Sequence, residues 1–384
     1  MESNYFSNPS RPPVIGILGG GQLAKMLAAA ARPLGVHVRI LSPSPEALLP
    51  GMFDHPTIAL WTPKSLRAFA QTVDVITLES EFVDADLLEA AAEICPVFPH
   101  PSAIRIIQDK LTQRNTLHAE NLPVSPYQPV ECKDDIEDFA HTHGWPLVLK
   151  KRRNGYDGKG NATLTGPESI PAAWNDLRHS NAELYVEAWC PFEREVAMMI
   201  TRGQDGQIAT YPVVDTVQKD HICHHVTAPS SLQSHEQQEV ATIATKAVAA
   251  FNLVGSVGVE LFRQADGTLL INEMAPRVHN SGHYTIEACH CSQFENHIRA
   301  ILGWPLGDAS LRVPAAAMVN LLGQTSGPGW PRNIEAALHH PSVSLHIYGK
   351  AESRPGRKMG HLTATGHTRD QALSQALQAA QVTF

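Results

Sequence analysis

The side chains best suited to chemistry lie in one stretch, Leu270-Ile271-Asn272-Glu273-Met274-Ala275-Pro276-Arg277-Val278-His279-Asn280-Ser281-Gly282-His283. An apolar run leads into a carboxylate. A Pro-broken turn then carries Arg277, His279, Asn280 and Ser281, with only Val278 as aliphatic bulk among them. A polar loop fed by a buried strand is held rigidly, which suits groups that must be aimed. Val257-Gly258-Val259-Glu260-Leu261-Phe262 is a second apolar run broken by one carboxylate. Between the two runs, Asp266-Gly267 is the favoured pair for a two-residue type I′ hairpin. With those turn residues, Glu260 faces Glu273 directly across the ladder. Like charges so placed destabilise a hairpin. A divalent cation would reverse the sign, and oxygen-only ligands suit Mg²⁺ shared with substrate phosphates. Two solvated carboxylates on an open face are the alternative; the surrounding apolar residues and the Arg/His turn favour the metal.

Other elements carry further candidates. Pro146-Leu147-Val148-Leu149-Lys150 reads as a strand opening into Lys151-Arg152-Arg153-Asn154-Gly155-Tyr156-Asp157-Gly158-Lys159-Gly160. Flexible backbone donors and a strand lysine are what a triphosphate needs, although Gly-Lys-Ser/Thr is missing and a plain basic turn is the competing account. Val14 to Leu18 reads as a buried strand, followed by Gly19-Gly20-Gly21-Gln22-Leu23-Ala24 and an Ala/Leu-rich helix to about Ala31. That is the Gly-rich strand–turn–helix pattern. The next strand, Val36 to Leu41, ends in Ser42-Pro43 where an NAD site wants an acid. The milder expectation is one phosphate on the helix N-terminal amides, with Gln22 as an added donor. The strand Val73 to Leu78 ends at Glu79-Ser80-Glu81, placed either to face a ligand crevice or to cap a helix from about Asp84. Near the end, Arg354-Pro355-Gly356-Arg357-Lys358 before a strand from His361 is a compact anion clamp, or a solvated basic turn.

Composition bounds the rest. The 384 residues hold two or three ordinary domains, and 43% hydrophobic with 18% charged residues is the balance of a globular protein with a sizeable core. A formal charge of −8 argues against a general nucleic-acid binder. No apolar run reaches membrane-span length, and no charged-then-apolar signal pattern opens the chain. Six irregularly spaced cysteines read as reduced thiols in the cytoplasm. His221-Ile222-Cys223-His224-His225 and Cys289-His290-Cys291 lack a second cluster at zinc spacing. Helices are expected over about Lys110 to Glu120, Glu236 to Leu253 and Glu287 to Leu302, and strands over Ala315 to Leu322 and Val343 to Tyr348. Residues 1–11 are polar and expected to be disordered.

Taken together, these motifs resemble the ATP-grasp superfamily, and within it the N5-carboxyaminoimidazole ribonucleotide synthetases of purine biosynthesis. The likeness runs from Gly19 to His361. It rests on Asn272 to His283, supported by Gly155 to Gly160 and Arg354 to His361. It implies an α/β chain, α+β in its ATP-grasp part: a Rossmann-like domain over 1–110, a small lid domain over 111–185, a central catalytic domain over 186–304, and a β-rich lobe over 305–384 packed on it. It implies a cytoplasmic homodimeric ligase that takes ATP, bicarbonate and 5-aminoimidazole ribonucleotide, with no nucleic acid and no membrane. Carboxyphosphate is the implied intermediate, and the cofactor is Mg²⁺, or Mn²⁺ in its place. By the match, Lys110 and Lys150 contact ATP phosphates, with the loop Gly155, Tyr156, Asp157, Gly158, Lys159, Gly160 and Asn161 closing over them. Glu187, the backbone of Ala188, Trp189 and Cys190, Glu195 and Gln218 hold adenine and ribose. Glu260 and Glu273 carry the metal, and Asn272 is a further cofactor contact. Arg277, His279, Asn280 and Ser281 bind bicarbonate and steady carboxyphosphate. Gln22, Leu23, Glu79, Tyr156, Asp157, Lys159, Lys350, Arg357 and Lys358 hold the ribonucleotide, with Asp157 and Lys350 at the reacting end.

Three positions depart from the family pattern: Lys159 where Arg is usual, Gln218 where His is usual, and Glu79-Ser80-Glu81-Phe82 where Glu-Phe-Glu-Asn is usual. The first loses bidentate geometry. Three rivals stand beside this reading. A formate-dependent glycinamide ribonucleotide transformylase would read Ser-Pro-Arg-Pro-His-Asp-Thr-Gly after the metal Glu, not Ala-Pro-Arg-Val-His-Asn-Ser-Gly. A nucleotide-sensing scaffold would not need both carboxylates and the Arg/His turn. An NAD oxidoreductase is disfavoured by Ser42.

Overall fold

The structure is a computed structural model that describes residues 11–384 apart from 46–47, 50–52, 54–55, 156–159 and 179–181. The expected disorder of the first residues, and the loop positions Tyr156, Asp157, Gly158 and Lys159, fall outside the described residues.

Short Val/Ile/Leu runs buried on both faces build the first sheet. Its strands are β1 (Val14–Leu18), β2 (His37–Ser42), β3 (Thr57–Ile58), β4 (Val75–Leu78) and β5 (Val97–Phe98), all parallel in the order β3-β2-β1-β4-β5. Leu18 pairs with Leu78, so Gly19 and Glu79 leave the sheet side by side. The helix Gln22–Ala31 buries Leu23, Met26 and Leu27, a helical stripe that meets Phe294, Ile298 and Ile301 from far along the chain. Asp109 caps the helix Lys110–Ala119 by accepting from the Leu111 and Thr112 amides.

A second, antiparallel sheet follows in the order β6-β9-β7-β8: β6 (Tyr127–Val130), β7 (Leu147–Lys151), β8 (Asn161–Leu164) and β9 (Leu184–Ala188). The third sheet is antiparallel and nine-stranded among the described residues. It contains β10 (Phe192–Arg202), β11 (Ile208–Thr210), β12 (Val214–Lys219), β13 (Ile222–Ala228), β14 (Gly255–Gln264), β15 (Leu269–Ala275) and β16 (Ala315–Leu322). After β17 (Gly327–Pro328), β18 (Val343–Ile347) and β19 (Glu352–Ser353), the strand β20 (Lys358–Gly366) completes the path β15-β14-β10-β12-β13-β16-β20-β18. The C-terminal strands thus join the central sheet edge to edge, through β13 against β16. Val257, Val259, Leu261, Ile271 and Met274 form one face of its core, covered by Val240, Ile243, Ala247 and Val248 of the helix Ser234–Ala250.

Two expectations need correction. The helix expected over Glu287 to Leu302 is two helices, Thr285–Ala288 and Gln293–Ile301, because Cys289 is extended and Ser292 caps the second by accepting from the Glu295 amide. The β14–β15 hairpin does not turn on two residues. Gln264 pairs with Thr268 around a three-residue loop in which Gly267 takes φ +92° and Asp266 accepts from the Thr268 amide at 2.9 Å. The ladder therefore pairs Leu261 with Ile271, yet Glu260 still opposes Glu273, because Asn272 is an extra residue in β15. Loop and bulge offset each other. The bulge also breaks the alternation, since Ile271 and Met274 both lie in the core while Asn272 and Glu273 both line the open side.

Candidate active site

The three sheets enclose a cleft of about 1180 Å³. Of the described candidates, Gln22, Leu23, Glu79, Lys110, Lys150, Gly155, Asn161, Glu187, Ala188, Trp189, Cys190, Glu195, Gln218, Glu260, Asn272, Glu273, Arg277, His279, Asn280, Lys350, Arg357 and Lys358 line it. Gly160 and Ser281 do not come to its wall. Gly160 uses its carbonyl on the Lys151 amide. Ser281 is buried, with Oγ 3.0 Å from His279 Nδ1.

The floor is the opposed carboxylate pair on β14 and β15. Burial, then the charge of Glu273, then Glu195, push the Glu260 carboxyl up to about 8. Burial also pushes Glu273 upward, but Lys110 and Lys150 outweigh it and hold that group below its usual range. Lys110 Nζ stands 3.4 Å from Glu273 Oε1. Two opposed carboxylates, one pushed toward its protonated form and one held by lysines, would be relieved by sharing a cation. Among the described residues no three His, Cys, Asp or Glu converge. An ion here would take the two carboxylates, Asn272 and oxygens of a substrate, the ligand set of a hard divalent cation. The residues fit Mg²⁺.

Over this floor hangs the turn after β15. Arg277 pairs with Glu81 through Nε and Nη2, the latter at 3.0 Å, and so ties the turn to the first sheet. His279 is held by Gln293, which accepts from its amide at 2.8 Å and donates to its carbonyl at 2.7 Å. Gly258 leaves room for it, since a Cβ there would sit 2.7 Å from His279 Cβ. Burial, then Arg277, lower the His279 pKa well below the usual range, so the ring is neutral, with Nε2 3.9 Å from Glu260. Asn280 exchanges two amide hydrogen bonds with Asn320 of β16. It and Ser281 brace the turn.

At one end of the cleft Phe262 stacks on Phe192 with centroids 4.4 Å apart and planes 8° from parallel, beside Trp189. Burial pushes Glu195 up to about 6 despite a hydrogen bond from Gln218. The Ala188 amide donates to the Pro126 carbonyl at 2.9 Å. Glu187 is enclosed, taking Lys150 Nζ at 2.5 Å and Arg114 Nε at 2.7 Å. Burial would raise Glu187, but these two cations hold it far below the usual carboxylate range.

At the other end the glycine turn does not present an open anion site. Both oxygens of Glu79 accept from the Gly21 amide at 2.8 Å, and one accepts from Ala24 at 3.3 Å. The phosphate expected on these amides is displaced by the protein's own carboxylate. Gly19 permits this approach: it has φ +103°, and a Cβ there would sit 2.4 Å from Glu79 Cγ. Beyond it lie Lys350, Arg357 and Lys358. Lys350 donates to the Lys358 carbonyl at 2.5 Å; burial, then Arg357 and Lys358, push it down to about 8. Lys25 donates to the Ile347 carbonyl at 2.5 Å just before this turn.

The sequence reading missed Arg114, Gln293 and the Phe192–Phe262 stack. Arg114 carried no motif: it only shares a helix face with Lys110, four residues before it, and that spacing says nothing of its distant partners.

The comparisons with known proteins agree with this layout. A model of the ribonucleotide synthetase preATP-grasp domain matches residues 13–108, the ATP-grasp domain 115–294, and the phosphoribosylaminoimidazole carboxylase C-terminal domain 316–375. The chain is similar to the N5-carboxyaminoimidazole ribonucleotide synthase of Synechococcus elongatus, 42% identical over 91% of this chain and 88% of that one. It is 40% identical to the phosphoribosylaminoimidazole carboxylase of Schizosaccharomyces pombe over 92% of its own length, and spans 65% of that longer protein. The solved N5-carboxyaminoimidazole synthase of Aspergillus clavatus, in complex with ADP and 5-aminoimidazole ribonucleotide, superposes with TM-score 0.87 at 34% identity, covering 96% of this chain and 98% of that one.

Proposed function

The chain belongs to the N5-carboxyaminoimidazole ribonucleotide synthases, a family of ATP-grasp ligases, and on that premise we propose how its cleft carries out ATP-dependent carboxylation of 5-aminoimidazole ribonucleotide in purine biosynthesis. A bicarbonate oxygen attacks the γ-phosphorus as the bond to ADP breaks. The carboxyphosphate passes its carboxyl group to the exocyclic amine. The C–N bond forms, the C–O bond to phosphate breaks, and the departing phosphate takes the amine proton. The observation that carries this reading is the meeting of Glu260 and Glu273 with Lys110 and the Arg277–His279 turn in one cleft.

Phosphoryl transfer asks a protein mainly for alignment and charge neutralisation. Lys110 and Lys150 meet the ATP phosphates beside Gly155 and Asn161, in a cleft that shields the labile intermediate from water. Phe262, backed by Phe192, offers a flat apolar wall to adenine, and Glu195 with Gln218 meets the ribose. Glu260, Glu273 and Asn272 would hold Mg²⁺ (or Mn²⁺), which when bound would spread charge over the phosphates. Arg277, oriented by Glu81, steadies the carboxyphosphate, and neutral His279 can accept a hydrogen bond from bicarbonate. Lys350, Arg357 and Lys358 take the 5′-phosphate of the ribonucleotide, with Gln22 and Leu23 beside its imidazole. Family likeness further suggests a cytoplasmic homodimer; a monomer by sedimentation velocity would remove the second half of that statement.

The test is ADP release from ATP, Mg²⁺ and bicarbonate, with and without 5-aminoimidazole ribonucleotide, in the wild type and Glu273→Gln. Turnover that needs bicarbonate and ribonucleotide and collapses in the variant is expected. Turnover driven instead by formate and glycinamide ribonucleotide would overturn the substrate assignment.

A further inference from the structure

We propose that Arg114 is a positioning residue that fixes the metal carboxylate Glu273 and the phosphate cation Lys150 together. The inference rests on the reading above that this cleft takes a metal–nucleotide complex.

Arg114 is 4% exposed, on the helix Lys110–Ala119. Its fork is spent inside the protein. Nη1 donates to the Ile271 carbonyl at 3.0 Å, Nη2 to the Asn272 carbonyl at 2.7 Å, and Nε to Glu187 Oε1 at 2.7 Å. Ile271 and Asn272 are where the β14–β15 ladder slips by one residue. A bulge leaves backbone groups outside the regular ladder, and the guanidinium takes up two of these carbonyls, immediately before Glu273. The other edge of the fork reaches Glu187, whose second oxygen holds Lys150 at 2.5 Å. One planar group therefore sets the aim of a metal ligand and of a phosphate ligand. Lysine has no fork and cannot span both carbonyls and a carboxylate. Neither motif nor periodicity marks this position. Its importance comes from joining three elements that meet only in the fold.

The two halves of the fork can be separated. Arg114→Lys keeps a cation for Glu187 and loses the carbonyl clamp; Glu187→Gln keeps the clamp and loosens Lys150. Mn²⁺ affinity is read by electron paramagnetic resonance on the full chain with ADP bound. ADP affinity is read without metal by calorimetry, and the unfolding midpoint is recorded for every variant. Arg114→Lys should weaken Mn²⁺ binding on the order of 10–100-fold, the usual cost of losing a group that orients a ligand, with metal-free ADP affinity within about threefold of wild type. Glu187→Gln should show the reverse pattern. Wild-type Mn²⁺ affinity in Arg114→Lys overturns the proposal, and so does a parallel fall of both affinities with the unfolding midpoint in both variants. If Arg114→Lys does not fold, the neutral pair Arg114→Gln/Glu187→Gln replaces it. Loss of both affinities at a retained midpoint then supports the proposal, and unchanged affinities overturn it. A wild type that binds no Mn²⁺–ADP overturns the metal–nucleotide reading itself, and this inference with it.

Discussion

Glu260→Gln should stabilise the ligand-free protein while destroying its site. Glu260 stands opposite Glu273 with its side chain 24% accessible. Burial, then Glu273, push its pKa from 4.5 to about 8. The folded chain thus keeps this proton through a window in which the unfolded chain has lost it. Stability is complete below the lower value and falls as pH rises, by about 1.36 kcal/mol per pH unit, until the folded group ionises. At pH 7 the penalty is about 3 kcal/mol, and above pH 8 about 5 kcal/mol. Glutamine keeps the shape and carries no such penalty. Urea unfolding near pH 5, 7 and 8.5 should show the variant more stable, by a margin that widens with pH and nearly closes at the acid end. Saturating Mg²⁺–ATP should reverse the order, because only the wild type gains binding energy. A variant less stable than wild type at pH 7, or a margin that ignores pH, would refute the reasoning.

Gly258→Ala places a methyl group 2.7 Å from His279 Cβ. The imidazole must shift, and kcat should drop on the order of 100-fold with ATP affinity by calorimetry unchanged; full turnover would mean the ring position is unimportant. Lys350, pushed down to about 8 by burial and its cationic neighbours, loses its charge as pH rises through that value. The KM for the ribonucleotide should then climb about tenfold per pH unit, a rise that Lys350→Arg should abolish in steady-state kinetics. Glu81→Gln frees the Arg277 guanidinium. It should cost roughly tenfold in kcat at unchanged ATP affinity, and wild-type kcat would show that Arg277 needs no such anchor.

Most strands were legible because alternation and apolar runs report burial directly, as in β1, β7, β14 and β16. The opposition of Glu260 and Glu273 was also legible, but on two miscounts that cancel: a turn one residue too short and an unseen extra residue at Asn272. The glycine turn misled for a physical reason. Helix N-terminal amides serve any anion, and nothing local says that Glu79, 58 residues away, arrives first. Arg114 was invisible because it sits in an ordinary helical pattern and its partners lie 73, 157 and 158 residues distant. The break in the helix expected over Glu287 to Leu302 had a readable sign, Ser292 three residues before Glu295, which the apolar spacing overrode.

The stripe of Leu23, Met26 and Leu27 against Phe294, Ile298 and Ile301 bears on how the chain is made. Synthesis proceeds at about 5–20 residues per second, and the first sheet leaves the ribosome long before its covering helix exists. Phe294 of that helix follows Phe98, the end of the sheet's last strand, by 294 − 98 = 196 residues, a wait of roughly 10–40 s at that pace. During it the nascent chain offers a completed sheet with an uncovered greasy flank, a natural client for a holding chaperone. A fragment comprising residues 11–108 made alone should therefore be insoluble unless the remainder is supplied with it.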